Sequence, residues 1–104
     1  MNSPILVEKE PIFVDVDGVL CNNTLGKYTK AEPIFENIAK INKLYDEGHI
    51  IIIWTARGGT TGINWFAVTL QQLKDWGVKY HELRMGKPPF ARLIDDRAVH
   101  INDV

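Results

Sequence analysis

The chain has 104 residues, enough for one compact domain with one core and too few for two ordinary domains, so residues 1–104 are predicted to form a single domain. Apolar residues make up 45% of the sequence and charged residues 24%, a balance typical of globular proteins rather than disordered chains. The net charge of -1 creates no overall field that would favour nucleic acid or an anionic membrane as a partner.

The single cysteine, Cys21, cannot form an internal disulfide, and no apolar run approaches the roughly 20 residues of a transmembrane helix. The N-terminal stretch "MNSPILVEKEP" lacks the basic start and long apolar region of a signal peptide. These features predict a cytoplasmic protein.

The first predicted elements are a short strand and a helix. Ile12–Val14 is apolar, β-prone and too short for a helix, whereas 22–32 is polar without a clear period and is predicted to be a loop. Pro33 suits a first helical position, and Gly48 ends the helix. The apolar residues at helical spacing between them are Ile34, Ile38, Ile41 and Tyr45.

The next segment, "HIIIIW", covers 49–54 without alternation, as expected for a central strand of a parallel sheet that is covered on both faces. "TARGGTTG" follows as a loop. A second helical stripe is then closed by Gly77. Its apolar residues are Trp65, Phe66, Val68, Leu70, Leu73 and Trp76.

The remaining residues predict a third strand over 78–81, a turn at "MGKPP" and a fourth strand over 91–94. Strands alternating with helices in this order indicate an α/β domain with a parallel sheet and right-handed crossovers. Ligands of such sheets bind beyond the carboxyl ends of the strands, so the residues that follow each strand are the candidate site residues.

Two acidic pairs follow predicted strands: Asp15 and Asp17 after the first, Asp95 and Asp96 after the fourth. Two such carboxylates can divide the roles of nucleophile and proton carrier, and they can hold a hard cation such as Mg²⁺. The alternative is that the first pair caps a turn in which Gly18 takes a left-handed conformation. Four carboxylates at one sheet edge would repel one another, so the second pair favours a metal site.

Thr55 and Lys87 are candidate anion-binding residues. Thr55 opens the loop after the most apolar strand, where its hydroxyl and nearby backbone N–H groups could bind an anion. The alternative role is helix capping, but the next predicted helix begins several residues later. Lys87 lies in a turn between Gly86 and Pro88, and taken alone it is an ordinary solvated lysine. Lys87 is a candidate only because the other candidate residues are predicted at the same edge of the sheet.

Four short motifs occur in a fixed order along the chain. They are "DVDGV" at 15–19, "WTAR" at 54–57, "GKP" at 86–88 and "LIDDRA" at 93–98. Together they resemble the four ordered motifs of the haloacid dehalogenase (HAD) superfamily of phosphohydrolases, and the resemblance spans about 12–98, nearly the whole chain. The resemblance implies a Rossmann-like, HAD-like three-layer sandwich with a central parallel sheet.

The resemblance also implies the catalytic residues. Asp15 would attack phosphorus and become an aspartyl phosphate, and Asp17 would protonate the leaving oxygen and later activate water. Thr55 and Lys87 would hold the transferring phosphoryl group. The implied substrate-binding set is Thr55, Ala56, Arg57 and Lys87.

Magnesium is the implied cofactor. The resemblance assigns it to the Asp15 carboxylate, the Asp17 backbone carbonyl and Asp95, with Asp96 behind the direct ligands. Phosphoryl transfer needs an in-line nucleophile and neutralisation of charge on the phosphoryl oxygens, which these groups could supply. Arg57, two residues after Thr55, could reach either a substrate or a carboxylate.

The connections between predicted elements leave room for a flap but not for a cap domain. The chain is similar to small phosphatases encoded with surface-polysaccharide or nucleotide-sugar genes, so a sugar phosphate is the first expected substrate and a nucleotide monophosphate the second. A different hypothesis is a non-catalytic metal- or phosphate-binding scaffold with the same fold. A homo-oligomer is expected, because a neighbouring subunit could cover a site that lacks a cap domain, and the sequence contains three tryptophans, a residue type enriched at interfaces. The alternative is a monomer whose aromatic residues fill a small core and whose site stays open to a large substrate.

Overall fold

A computed structural model describes residues 10–104; residues 1–9, which hold most of the N-terminal stretch considered above, lie outside the described residues. Short 3-10 turns occur at Tyr28–Lys30 and Ile101–Asp103. The strands and helices in chain order are β1 (Ile12–Val14), α1 (Phe35–Asp46), β2 (Ile51–Trp54), α2 (Phe66–Asp75) and β3 (Glu82–Arg84).

The three described strands form one parallel sheet in the order β1-β2-β3. Ile12 is opposite Ile51 in the first pair, and Ile52 is opposite Glu82 in the second. β2 is therefore the central strand, and its three isoleucines are buried. The predicted α/β class and the central position of the second strand are confirmed.

Both helices end at the predicted glycines, for the same backbone reason. Gly48 and Gly77 have φ angles of 94° and 72°, the left-handed region that a residue with a Cβ enters at a cost. His49 N–H donates to the Leu44 carbonyl and Val78 N–H to the Leu73 carbonyl, which satisfies carbonyls that the helix leaves free.

α1 begins at Phe35, two residues after Pro33, and buries Ile38 and Ile41 as predicted. The predicted stripe on α2 is only partly correct. Phe66 and Leu70 remain about two-fifths exposed, whereas Thr69 and Leu73 are the buried residues of the helix. The helix is thus rotated relative to the expectation, and its inward face includes a polar side chain.

The third strand occurs later than predicted, at Glu82–Arg84 rather than over 78–81. Val78 is used in the hydrogen bonds that close α2, and His81 N–H then joins the sheet through the Ile51 carbonyl. The β-prone residues 78–80 therefore form the crossing from helix to sheet instead of a strand.

The predicted fourth strand over 91–94 is wrong for this chain: within the described residues, no strand forms there. Residues 88–100 are all exposed. β3 ends on the far side of the sheet from β1, and the six residues 85–90 are a short connection for a parallel crossover, which usually needs a dozen or more.

The core lies between the sheet and the helices. No helix in the described part of the chain is long and apolar enough to cross a membrane. The core residues are Val14, Val16, Leu20, Cys21, Ile38, Ile41, Ile51, Ile53, Leu73, Val78 and Ile101.

Candidate functional site

The carboxyl ends of all three strands meet where the chain leaves β3. Thr55 N–H donates to the Arg84 carbonyl at 3.0 Å, and Lys87 N–H donates to the Thr55 carbonyl at 3.0 Å. The backbone thus crosses the end of the sheet from β3 past β2. This crossing carries Lys87 toward the end of β1.

Asp15, the residue after β1, meets Lys87 at this edge. Lys87 Nζ lies 3.1 Å from Asp15 Oδ2, although the two residues are 72 positions apart in sequence. Asp15 Oδ1 accepts a hydrogen bond from Val16 N–H at 2.8 Å. The Asp15 side chain is 35% exposed, so a ligand could approach it from solvent.

A tight turn after β1 positions Asp17 two residues further on. Gly18 has a φ of 83°, as the turn interpretation of the motif predicts, and an added Cβ would approach the Asn23 amide at 3.1 Å. The Val16 carbonyl accepts backbone bonds from Leu20 at 2.9 Å and Cys21 at 3.2 Å. The turn is therefore fixed by backbone hydrogen bonds and by the left-handed conformation of Gly18.

Asp17 forms a two-pronged ion pair with Arg57. Arg57 Nη2 lies 2.9 Å from Asp17 Oδ1, and Arg57 Nε lies 3.0 Å from Asp17 Oδ2. The Arg57 side chain is fully buried and that of Asp17 is 20% exposed. Of the two roles that the sequence left open for Arg57, the contact with a carboxylate is the one observed.

Further groups hold the Arg57 guanidinium. Its Nη1 donates to Thr69 Oγ1 at 3.1 Å and to Gln72 Oε1 at 2.6 Å, and its Cζ lies 4.7 Å from the Tyr28 ring centre. Sequence reasoning missed these three residues. Thr69 and Gln72 carry a weak signal, because two polar residues three apart share one face of a helix. Tyr28, in a loop without period, carries none.

Cys21 lies against the same ion pair. It is fully buried, with Sγ 3.5 Å from Asp17 Oδ1 and 3.7 Å from Arg57 Nη2. Burial, and then the negative charge of Asp17, raise the pKa of the thiol to about 12. The thiol is consequently protonated at neutral pH, so Cys21 is a buried small residue rather than a nucleophile.

Thr55 is fully buried, and its hydroxyl accepts a hydrogen bond from Arg57 N–H at 3.2 Å. That bond orders the loop. Within the described residues, the Asp17 and Ala56 amide N–H groups have no hydrogen-bond acceptor. Both amides follow strand ends next to Asp15, so they are available to the oxygens of an anion bound there.

Asp95 and Asp96 do not join this group. Both are exposed, and within the described residues no three His, Cys, Asp or Glu side chains lie close enough to hold a metal ion. Asp95 Oδ1 instead accepts from Arg97 N–H at 2.6 Å in a local turn. The expectation that both acidic pairs meet at one edge depended on the fourth strand and is wrong within this chain.

Comparison with known proteins yields one structural likeness. No family model matches the chain, and no curated protein matches its sequence. An MCSG target from Vibrio cholerae, known from its crystal structure, superposes with a TM-score of 0.79 and 28% identity, over 89% of this chain and 85% of its own. This likeness supports the α/β fold.

Proposed function

We propose that the protein is a magnesium-dependent phosphatase that hydrolyses a small phosphomonoester through an aspartyl-phosphate intermediate. The observation that carries the proposal is the contact between Asp15 and Lys87, which joins a candidate nucleophile to a cation from 72 residues away at the carboxyl end of the sheet. The four motifs that resemble the HAD superfamily supply the chemistry. We also propose that the fold is a HAD-like three-layer sandwich without a cap domain.

In the first step an Asp15 carboxylate oxygen attacks phosphorus, and the bond between phosphorus and the leaving oxygen breaks. Asp17 gives a proton to that oxygen. In the second step water attacks the phosphorus of the aspartyl phosphate, Asp17 takes a proton from the water, and the bond to Asp15 breaks to release phosphate. Lys87 and the free amides of Asp17 and Ala56 would neutralise charge on the phosphoryl oxygens in both steps.

The arrangement sets one condition on this mechanism. Both carboxylate oxygens of Asp17 accept hydrogen bonds from Arg57, so proton transfer by Asp17 requires at least one of those contacts to open. Arg57 is therefore proposed as a positioning residue, which aims Asp17 at the leaving group, rather than as a direct substrate ligand.

The oxygen donors at this edge of the sheet partly fit Mg²⁺, the proposed cofactor. Hard cations such as Mg²⁺ prefer carboxylate and carbonyl oxygens. The partly exposed Asp15 carboxylate is one donor, and the Asp17 carbonyl is a second, since no amide of the described residues donates to it. When bound, the ion would neutralise charge on the phosphoryl group.

A sugar phosphate is the favoured substrate. The connection from β1 to α1 contains only a turn and a short 3-10 helix, Tyr28–Lys30, so it supplies a flap rather than a cap domain. A flap this short does not by itself select a substrate, so the preference for a sugar phosphate comes from the resemblance to small phosphatases encoded with surface-polysaccharide or nucleotide-sugar genes. A nucleotide monophosphate is the second candidate.

The competing function is a scaffold that binds phosphate or metal without turnover, and the double contact between Arg57 and Asp17 favours it. The two functions separate in one experiment: release of phosphate from a panel of sugar phosphates and nucleotide monophosphates, with Mg²⁺, with chelator and with excess Ca²⁺. The enzyme releases phosphate only with Mg²⁺ and is inhibited by Ca²⁺, whose looser coordination disturbs the geometry around the nucleophile. Binding of Mg²⁺ by calorimetry without any phosphate release would favour the scaffold, and full activity in chelator would contradict the metal requirement.

A further inference from the structure

β1 has an open edge. It pairs with β2 on one side only among the described strands. Ile12 N–H donates to the Ile50 carbonyl on that side. Because the backbone groups of successive residues in a strand point to opposite sides, the N–H and carbonyl of Phe13 point to the open side. Such an edge is a template for another strand.

The chain contains a matching segment that has no partner. Residues 91–96 read "ARLIDD", yet Leu93 is 57% exposed and Ile94 94% exposed. No backbone hydrogen bond connects 88–99 to the rest of the described chain. An exposed apolar segment with free backbone groups and an open sheet edge are complementary surfaces.

The connector is too short for 91–96 to pair with the open edge of β1 in the same chain as a parallel strand. The connector 85–90 spans at most about 20 Å when fully extended. A parallel strand beside β1 would have to start after a path across three strand spacings, about 14 Å, and down one strand length, about 13 Å, while clearing the side-chain layer on one face. Six residues do not cover that path.

The observed path of 88–97 also runs in the wrong direction for a strand parallel to β1. Lys87 lies at the carboxyl end of β1, beside Asp15, whereas Arg97 forms an ion pair with Glu10 just before the amino end of β1. Within one chain, 88–97 therefore runs opposite to β1. That direction takes Asp95 away from Asp15.

The connector is also stiff. Pro88 and Pro89 fix φ near −65°, and a residue before proline favours extended backbone, so the chain leaves the Lys87 crossing extended rather than folded back. Short, constrained connectors of this kind favour exchange of a segment between copies.

We propose that two copies of this chain exchange residues 91–96, each segment pairing parallel to β1 of the other copy. In this direction the incoming Asp95 follows the new strand just as Asp15 follows β1, so the two carboxylates meet at one sheet edge. The active site then contains Asp15, Asp17, Thr55 and Lys87 of one copy and Asp95 of the other. The exchange stands on the geometry alone, whereas the role of Asp95 as a metal-binding carboxylate rests on the proposed function.

The exchange is tested without an activity measurement. Light scattering coupled to size exclusion should give the full chain twice the 11.8 kDa of one copy. Six Gly and Ser residues inserted between Pro89 and Phe90 lengthen the connector to about a dozen residues, enough for a crossover within one chain, so this variant should be monomeric. The same insertion between Gly59 and Thr60, in an exposed loop, is the control and should leave the dimer intact. A monomeric wild type, or a dimer that the connector insertion does not dissociate, would overturn the exchange.

The role of Asp95 is tested by mixing variants. Asp15→Asn and Asp95→Asn are each expected to be inactive, but when unfolded and refolded together they form mixed dimers with one intact site. Random mixing of exchanged dimers should restore about a quarter of wild-type phosphate release. Absence of any recovery, with native mass spectrometry showing mixed dimers, would overturn the shared site while leaving the exchange to the mass measurements. If wild type hydrolyses no substrate, Mg²⁺ titration of the Asp95→Asn dimer replaces the activity readout, and unchanged affinity would overturn the role of Asp95.

Discussion

The loop that follows β2 and the segment 88–100 both carry family-like motifs, but they differ in what holds them. Arg57 is fully buried and contacts a carboxylate, a hydroxyl, an amide and an aromatic ring. Arg97 is exposed and contacts one exposed carboxylate. The first motif is built into the core of one chain, whereas the second lies outside it. A motif in the sequence thus predicts chemistry, and the surrounding packing decides whether one chain can assemble the residues that the chemistry needs.

This difference predicts unequal effects on stability when each arginine is replaced by methionine. Arg57→Met should lower the free energy of unfolding by about 2–4 kcal/mol, because Asp17 and the polar groups on α2 lose their partner in a largely buried setting. Arg97→Met, the matched control, should change it by less than about 0.5 kcal/mol, since exposed ion pairs contribute little. Urea unfolding followed by circular dichroism measures both, and equal effects would contradict the contrast between the two regions.

A smaller effect concerns the buried thiol beside the same ion pair. The pKa of Cys21 rises from 9.0 to about 12 on folding, so the folded state favours the neutral thiol more than the unfolded chain does. The resulting stabilisation is fully present below about pH 9 and is lost as the pH rises toward 12. Wild type should therefore lose more stability than Cys21→Ala between pH 8 and pH 10.5 in parallel urea titrations. Identical losses in the two proteins would show that the thiol does not titrate in this way.

The parts of the fold that depend on local pattern were predictable from the sequence. Gly48 and Gly77 end their helices where predicted, and the run of isoleucines before Thr55 is the central strand, because backbone conformation and burial on both faces leave direct traces in residue type.

The parts that depend on long-range geometry were not. The bond between Arg57 and Asp17 spans 40 residues, and nothing in the spacing of either motif selects it over a substrate contact. The predicted fourth strand does not form within the described residues, although its apolar pattern is present, because the short connector 85–90 limits the positions that 91–94 can reach in one chain.

Release of phosphate by Asp15→Asn is the sharpest test of the proposed nucleophilic role of Asp15. The amide is similar in size to the carboxylate but cannot form an acyl phosphate, so turnover of the best substrate with Mg²⁺ should fall below about 1% of wild type. Asp46→Asn, which changes an exposed carboxylate in the same way, should remain fully active, and circular dichroism should show both variants folded. If Asp15→Asn keeps more than a few per cent of wild-type activity, with mass spectrometry excluding deamidation, Asp15 is not the nucleophile.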